Sequence, residues 1–125
     1  MKNIIIVTGG AGFVGTNLIE IFLKKTKFQI ISLDNYSTGS RNNHYKSKRI
    51  KYLTGHTKNI EKILKSKFKK INTIFHFGEF SRIYQSFIKM DQCIESNSIG
   101  THAVIKFCIK YKIKLIYSAT SASLG

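Results

Sequence analysis

Apolar positions recur along the chain with two spacings, one typical of buried strands and one typical of helices. Five short segments are apolar and rich in β-branched residues, which predicts strands at 3–7, 28–33, 50–53, 72–77 and 115–118. Three longer segments carry apolar residues at helical spacing and are predicted helices, at 13–25, 58–70 and 91–111. The polar segment 34–44 between two predicted strands is expected to be a loop.

Each predicted helix has one apolar face that is expected to meet the core. The residues on these faces are Val14, Leu18, Ile21 and Phe22 in the first helix, Ile60, Ile63, Leu64 and Phe68 in the second, and Ile94, Val104, Ile105, Cys108 and Ile109 in the third.

The alternation of strands with helices predicts the fold class. Parallel strands need helical crossovers, so the chain is predicted to be α/β, with a doubly wound parallel sheet of about five strands. Residues 1–125 form one predicted domain. The chain stops at Gly125, directly after the fifth strand and without a covering helix, so we expect it to be truncated at its C-terminus.

Composition narrows the function classes. Lys and Arg total 21 against 6 Asp and Glu, a net charge of +15, which can mark binding to nucleic acid or to a membrane surface. Only 3 of the 21 are Arg, the usual reader of bases and phosphates, and the lysines are scattered along the sequence. Compositional drift toward Lys is therefore favoured, with no nucleic-acid or membrane partner expected. A basic nucleic-acid-binding module stays as the alternative.

The other compositional signals point to an ordinary cytoplasmic protein. No apolar stretch approaches the ~18 residues of a membrane span, and no secretory signal opens the chain. Cys93 and Cys108 form no CxxC, and the four histidines have no ligand spacing, so neither a disulfide framework nor a metal site is predicted.

The strongest motif is the glycine-rich run from Thr8 to Gly15, between the first strand and the first helix. Gly10, Gly12 and Gly15 spell GxGxxG, and Gly9, Gly12 and Gly15 spell GxxGxxG. Such a turn lets a pyrophosphate approach the backbone at the amino end of a helix, where N–H groups and the helix dipole favour an anion. The motif predicts a Rossmann-type dinucleotide site.

Asp34 supports the prediction of a dinucleotide site. It lies 19 positions after Gly15, at the end of the second predicted strand, where an acidic side chain can bind the adenosine ribose hydroxyls. A 2′-phosphate there would meet a like charge, so the predicted cofactor is NAD rather than NADP.

These residues resemble the extended short-chain dehydrogenase/reductase family, the NAD-dependent sugar-nucleotide epimerases and dehydratases. The run from Thr8 to Gly15 matches the family's TGxxGxxG, His76-Phe77-Gly78 resembles its HxA segment, and the segment from Asn97 to Thr101 resembles its NxxGT. The resemblance covers the whole chain as the N-terminal part of a longer enzyme. It implies cofactor contacts from Gly9, Gly12, Phe13, Val14, Gly15, Asp34, Asn35, Ser37, Thr38, Gly39, His56, Thr57, Phe77, Gly78, Asn97 and Ser118.

The resemblance also implies a catalytic hydroxyl. The segment from Tyr117 to Ala122 resembles the end of the family's fifth strand, which puts Thr120 where a hydroxyl bonds the sugar oxygen that is oxidised. The implied enzyme is an epimerase, because Ser121 and Ala122 follow Thr120 where dehydratases and decarboxylases of the family carry an acidic residue. Those two activities and a non-catalytic dinucleotide sensor are the alternatives. A nucleotide-sugar substrate and a homodimer of the full-length protein are implied as well.

Three positions depart from the family pattern. His56 stands where an Asp usually meets adenine, although a neutral imidazole can still accept a hydrogen bond. Glu79 follows Gly78 where a small residue is usual. The family's YxxxK, which supplies the acid/base Tyr, is absent from 1–125, so the fragment alone is predicted to be inactive.

Overall fold

The computed structural model describes residues 1–9, 12–35, 44–77 and 99–117. The strands are β1 (Ile4–Thr8), β2 (Gln29–Asp34), β3 (Ile50–Thr54), β4 (Ile71–His76) and β5 (Lys114–Tyr117). The helices are α1 (Phe13–Lys25), α2 (Ile60–Leu64) and α3 (Thr101–Tyr111). Two 3₁₀ segments, Thr57–Asn59 and Lys65–Lys70, flank α2.

The strands form one parallel sheet in the order β3-β2-β1-β4-β5. Because β1 is central and the chain moves outward from it in both directions, the strand order reverses between β1 and β4. Open α/β sheets bind their ligands at the carboxyl ends of the strands beside such a reversal. The predicted doubly wound Rossmann-type sheet is confirmed.

The two faces of the sheet are covered by different helices. Ile4 and Ile6 of β1 belong to a core cluster with α2 and α3, whereas Ile5 and Val7 of β1 belong to a cluster with Ile19 of α1. Adjacent residues of a strand point to opposite faces, so α1 covers one face and α2 and α3 cover the other. This arrangement explains why β1 is buried along its whole length.

The predicted face of α1 is correct in part, since Leu18 and Phe22 pack against the core cluster that contains Ile19. Val14 and Ile21, predicted to be core residues, are 55% and 54% exposed, while Ile19 is fully buried. Gly15 is also buried, on the same face as Ile19. A glycine adds nothing to an apolar pattern, so the pattern also indicated the neighbouring stripe of the helix.

The same kind of error affects α3. Val104 and Cys108 are buried as predicted, but Ile105 and Ile109 are 40% and 73% exposed, and Phe107 takes the core position that the pattern missed. Ile94 lies outside the described residues. The predicted helix at 58–70 is α-helical only in Ile60–Leu64, although its apolar face is confirmed, with Ile60 and Leu64 fully buried.

Seven of the 18 lysines, which are scattered in the sequence, lie at one edge of the sheet. Parallel strands begin at the same edge, and every strand has a basic residue at its first position or within two positions before it. These residues are Lys2, Lys27, Lys48, Arg49, Lys69, Lys70, Lys112 and Lys114, and all except Arg49 are exposed. This set, which we call the basic edge, lies opposite the carboxyl ends of the strands.

Candidate functional site

The carboxyl ends of four strands bring predicted site residues into one row. Gly9 follows β1, Asp34 ends β2, His56 follows β3 and Phe77 follows β4. Backbone hydrogen bonds join neighbours in this row, from Gly9 N–H to Leu33 O at 2.8 Å and from Phe77 N–H to Thr8 O at 3.2 Å. The glycine turn therefore lies between the ends of β2 and β4, at the reversal of strand order.

The turn after β1 has the backbone that the glycine motif predicts. Gly9 has a φ of 73°, a left-handed conformation that side chains disfavour. Gly12 N–H donates to Gly9 O at 3.0 Å, and Thr16 N–H donates to Gly12 O at 2.9 Å, which starts α1. Gly10 and Ala11 lie outside the described residues.

Gly12 is the test of whether this turn fits a pyrophosphate. Its φ of −82° and ψ of 176° are open to any residue. A Cβ built at Gly12 would meet Gly9 O at 3.4 Å, close to ordinary van der Waals contact. The packing and backbone conformation of the described residues therefore do not require a glycine at this position. A pyrophosphate lying against the backbone would require one, because it would occupy the space of a side chain. The residues present fit the cofactor.

The amino end of α1 is also suited to an anion. No acidic residue stands in its first turn, and no side chain caps it. Its first N–H groups and the positive end of the helix dipole are therefore not neutralised by the helix itself. Gly15 is buried, while the side chains of Phe13 and Val14 are exposed at the start of the helix.

Asp34 is placed where the sequence predicts it, as the last residue of β2. Its side chain is only 8% exposed, and its carbonyl accepts the N–H of Gly55 at 3.0 Å. Because the N–H of Gly9 donates to the carbonyl of the preceding residue, Leu33, the end of β2 and the glycine turn are neighbours. Asn35 is exposed, and Ser37, Thr38 and Gly39 lie outside the described residues.

His56 makes a hydrogen bond within the chain. Its Nδ1 accepts the N–H of Lys58 at 3.0 Å and caps the 3₁₀ segment after β3. The expected contact of His56 with adenine stays a prediction. The adjacent Thr57 is 5% exposed, and its buried Oγ1 has no hydrogen-bond partner within the described structure.

His76 ends β4 and is completely buried. Its Nδ1 lies 2.7 Å from Thr8 Oγ1, and its Nε2 lies 3.0 Å from Thr101 Oγ1. The N–H of Phe77 donates to Thr8 Oγ1 at 2.8 Å. Sequence reasoning missed Thr8 and Thr101 as partners, because only the fold brings the starts and ends of these distant segments together.

Further predicted site residues lie outside the described ranges. They are Gly78, Asn97, Ser118 and the predicted catalytic Thr120. Within those ranges, no group of three His, Cys, Asp or Glu side chains could hold a metal ion. No described helix is both long enough and apolar enough to cross a membrane.

Comparison with known proteins identifies the family. Residues 5–125 match the model of the NAD dependent epimerase/dehydratase family, which is nearly the whole chain. The chain therefore belongs to this family, whose cofactor is NAD.

Two curated relatives carry different activities. The chain is 33% identical to a dTDP-D-glucose 4,6-dehydratase of Dictyostelium discoideum and 30% identical to a UDP-glucose 4-epimerase of Halalkalibacterium halodurans, each over 97% of this chain. It covers only 30% of the first and 36% of the second. The chain thus spans about a third of the length of these relatives.

A solved structure with bound ligands has the same fold. The Bordetella bronchiseptica enzyme WbmG, in complex with NAD and UDP, is 26% identical and superposes with a TM-score of 0.79. The match covers 90% of this chain and 36% of that enzyme.

Proposed function

We propose that this chain is the NAD-binding part of an NAD-dependent epimerase that acts on a sugar nucleotide. One observation carries the proposal above the others: Gly12 stands at the reversal of strand order with a backbone open to any residue and with room for a Cβ. A ligand that lies against the backbone explains the glycine there, and the neighbouring Asp34 and uncapped α1 supply the other contacts a dinucleotide needs.

Asp34 is proposed to select NAD over NADP. A carboxylate accepts hydrogen bonds from two ribose hydroxyls but repels a 2′-phosphate in the same place. The remaining proposed contacts are Gly9, Phe13, Val14, Gly15, Asn35, Ser37, Thr38, Gly39, His56, Thr57, Phe77, Gly78, Asn97 and Ser118.

Bound NAD would supply a hydride acceptor and later a hydride donor for one carbon of the sugar. Thr120 is proposed to hydrogen-bond the sugar oxygen, where a hydroxyl can donate as charge develops. The acid/base Tyr and its Lys are proposed to follow Gly125, so 1–125 alone should turn over no substrate.

The substrate is proposed to be a nucleotide sugar, because the names of both relatives specify one. Ser121 and Ala122 after Thr120 favour an epimerase, and the dehydratase and decarboxylase activities of the family are the closest alternatives. A homodimer and a cytoplasmic location belong to the same proposal.

Cofactor titrations test the proposed binding of NAD and its selection over NADP. NAD and NADP are titrated calorimetrically into the full-length protein and into Asp34→Ala. We expect NAD to bind at least about tenfold more tightly than NADP, a difference of ~1.4 kcal/mol, and the variant to lose most of that preference. Equal affinities in the unmodified protein would contradict the proposal.

Product analysis tests the reaction. The full-length protein is incubated with UDP-glucose or dTDP-glucose and NAD, and the products are separated by chromatography. An epimerase returns a sugar nucleotide of unchanged mass, and a 4,6-dehydratase removes one water. A decarboxylase releases CO₂ from UDP-glucuronic acid, which is tested in parallel. No turnover of any of the three by a protein that binds NAD indicates the non-catalytic sensor. The same assay on 1–125 is the control, for which we expect no product.

A second candidate function is favoured by the basic edge. Its lysines could bind a phosphate backbone, while the guanidinium of Arg49 is held by the carbonyls of Leu23, Thr26 and Phe28 and so is engaged within the fold. Titration of duplex DNA at about 50 and 200 mM salt tests it. Micromolar binding that falls steeply with salt supports this function, and no binding at low salt removes it.

A further inference from the structure

The buried ring of His76 contacts three other elements at the carboxyl edge of the sheet. Its two nitrogens lie within hydrogen-bond distance of Thr8 at the end of β1 and of Thr101 at the start of α3. Its face stacks on the ring of Tyr117 at the end of β5, with centroids 5.5 Å apart and planes 22° apart.

The hydrogens of this cluster can be assigned from its geometry. Thr8 is fully buried, and its Oγ1 already accepts the N–H of Phe77. A buried hydroxyl hydrogen needs an acceptor, and His76 Nδ1 is 2.7 Å away. Since a neutral imidazole has one N–H, the hydrogen lies on Nε2 and is donated to Thr101 Oγ1. The donors then run in one direction, from Phe77 through Thr8 and His76 to Thr101.

Three of these residues directly precede proposed cofactor contacts. Thr8 precedes Gly9, Phe77 precedes Gly78, and Tyr117 precedes Ser118. A shift of any one of them would move the backbone that follows, and small displacements at a binding site are costly. His76 itself is completely buried, so it acts on these segments through its neighbours.

We propose that His76 is a positioning residue, whose hydrogen bonds to Thr8 and Thr101 and stacking on Tyr117 hold the ends of β1, β4 and β5 and the start of α3 in the arrangement that binds NAD. This inference rests on the proposed NAD site. It adds a role that a merely space-filling histidine would not have, because the direction and number of its hydrogen bonds matter and not only its volume.

Variants that lack one hydroxyl group distinguish a positioning role of His76 from a merely space-filling one. Thr101→Val and Thr8→Val keep the branched shape but remove one hydroxyl each, whereas Thr101→Ser keeps the hydroxyl. The matched control is Thr73→Val in β4, a buried threonine whose hydroxyl donates to Asn72 Oδ1 at 2.7 Å. All variants are made in the full-length protein, and folding is checked by circular dichroism and thermal unfolding.

We expect NAD affinity to fall at least about fivefold in Thr101→Val and Thr8→Val, to return in Thr101→Ser, and to change less than about twofold in Thr73→Val. Unchanged NAD affinity in a folded Thr101→Val variant would overturn the positioning role, even if Thr8→Val does not fold. No NAD binding by the unmodified protein would reject the proposed function, and the positioning role with it.

A nitrogen NMR spectrum tests the hydrogen-bond chain without any cofactor. In protein labelled with ¹⁵N-histidine, the His76 signals are identified by their change in Thr101→Val. A hydrogen on Nε2 and a bare Nδ1 support the chain. A hydrogen on Nδ1 would contradict it, whether or not NAD binds.

Discussion

Glycines in this chain are present for two different reasons, which only the structure separates. Gly12 has an ordinary backbone and room for a Cβ, so neither backbone strain nor packing within the described residues requires a glycine there. At Gly55, a Cβ would stand 2.9 Å from Ile63 Cδ1 and 3.4 Å from Leu33 Cδ1, so a side chain there requires the terminal methyl of Ile63 to move. The sequence shows both as glycines near the site and cannot rank them.

Alanine substitutions should therefore differ in their effect on stability. Gly55→Ala requires the terminal methyl of Ile63 to rotate away, and we expect it to lower the free energy of unfolding by ~1 kcal/mol, near the lower end of the cost of overpacking. Gly12→Ala should change it by less than ~1 kcal/mol. Urea denaturation of the two variants measures both values, and equal losses would mean that Gly12 is also required by packing.

Cys108 is a buried thiol whose ionisation is suppressed. Burial raises its pKa to about 11, because the thiolate would lose its hydration. The neutral form is favoured in the folded state, so this group contributes stability below its unfolded pKa and loses that contribution as pH rises toward about 11.

We expect Cys108 to resist alkylation at pH 8 in the folded protein. Iodoacetamide reacts with thiolates, and burial limits both ionisation and access. Mass spectrometry of the Cys108 peptide with and without 8 M urea measures the difference. Equal rates of modification in the two samples would show that the thiol is not protected.

The sequence predicts the site residues that belong to a local motif better than those that the fold brings together from distant segments. The glycine turn and Asp34 lie where strand, turn and spacing predicted them. The cap that His56 Nδ1 makes on the following 3₁₀ segment was not predicted, because this bond depends on the local turn geometry. The two bonds of His76 join residues 68 and 25 positions apart, so no local pattern could indicate them.

At the scale of elements, the sequence predicts the order of strands and helices but not the rotation of the helices. All five strands agree with the prediction to about one residue at each end. The faces of α1 and α3 were misassigned in part because both helices carry more than one apolar stripe, and contact with the sheet selects among them. Gly15 and Phe107 mark the selected stripes.

One side chain joins α1 to the start of β3. The guanidinium of Arg49 donates to the carbonyls of Thr26 at 2.7 Å and Phe28 at 3.2 Å, and also to that of Leu23 near the end of α1. The flat, forked guanidinium can reach several carbonyls at once, which the single ammonium of lysine cannot match. The end of α1, the loop and β3 are thereby held together.

We expect Arg49→Lys to lower the free energy of unfolding by ~1–3 kcal/mol, because some of the three carbonyl groups would lose their charged hydrogen-bond donor. The control is Lys48→Met at the exposed neighbouring position, which should change stability by less than ~0.5 kcal/mol. Chemical denaturation compares them. Equal stabilities would mean that the guanidinium contacts contribute no net stability.

At the scale of the whole molecule, the described residues place a row of positive charges along one edge of the sheet. The basic edge has a Lys or Arg at the start of every strand, and Asp34 lies at the opposite edge. The described ion pairs, Lys24 with Glu20 and Lys110 with Glu61, lie on exposed helix surfaces and compensate little of the net charge. Repulsion among the lysines therefore opposes folding at low salt.

We expect added salt to stabilise the protein. The Debye length falls from about 10 Å at 0.1 M to about 3 Å at 1 M, so repulsion along the basic edge is screened. The melting temperature should rise by about 2–4 °C over this range. Lys112→Glu should raise it at low salt and reduce the response to salt. A melting temperature that falls with added sodium chloride would contradict this distribution of charge.

The claim that the turn from Gly9 to Gly12 holds the pyrophosphate of NAD is tested most directly by calorimetric titration of NAD into full-length Gly12→Ala and into the unmodified protein. One added methyl group occupies the space proposed for the ligand and leaves the fold intact. The account predicts that the unmodified protein binds NAD and that a folded Gly12→Ala binds it at least about tenfold more weakly, a change of ~1.4 kcal/mol. Equal affinity in the two proteins, with equal melting temperatures, would contradict it.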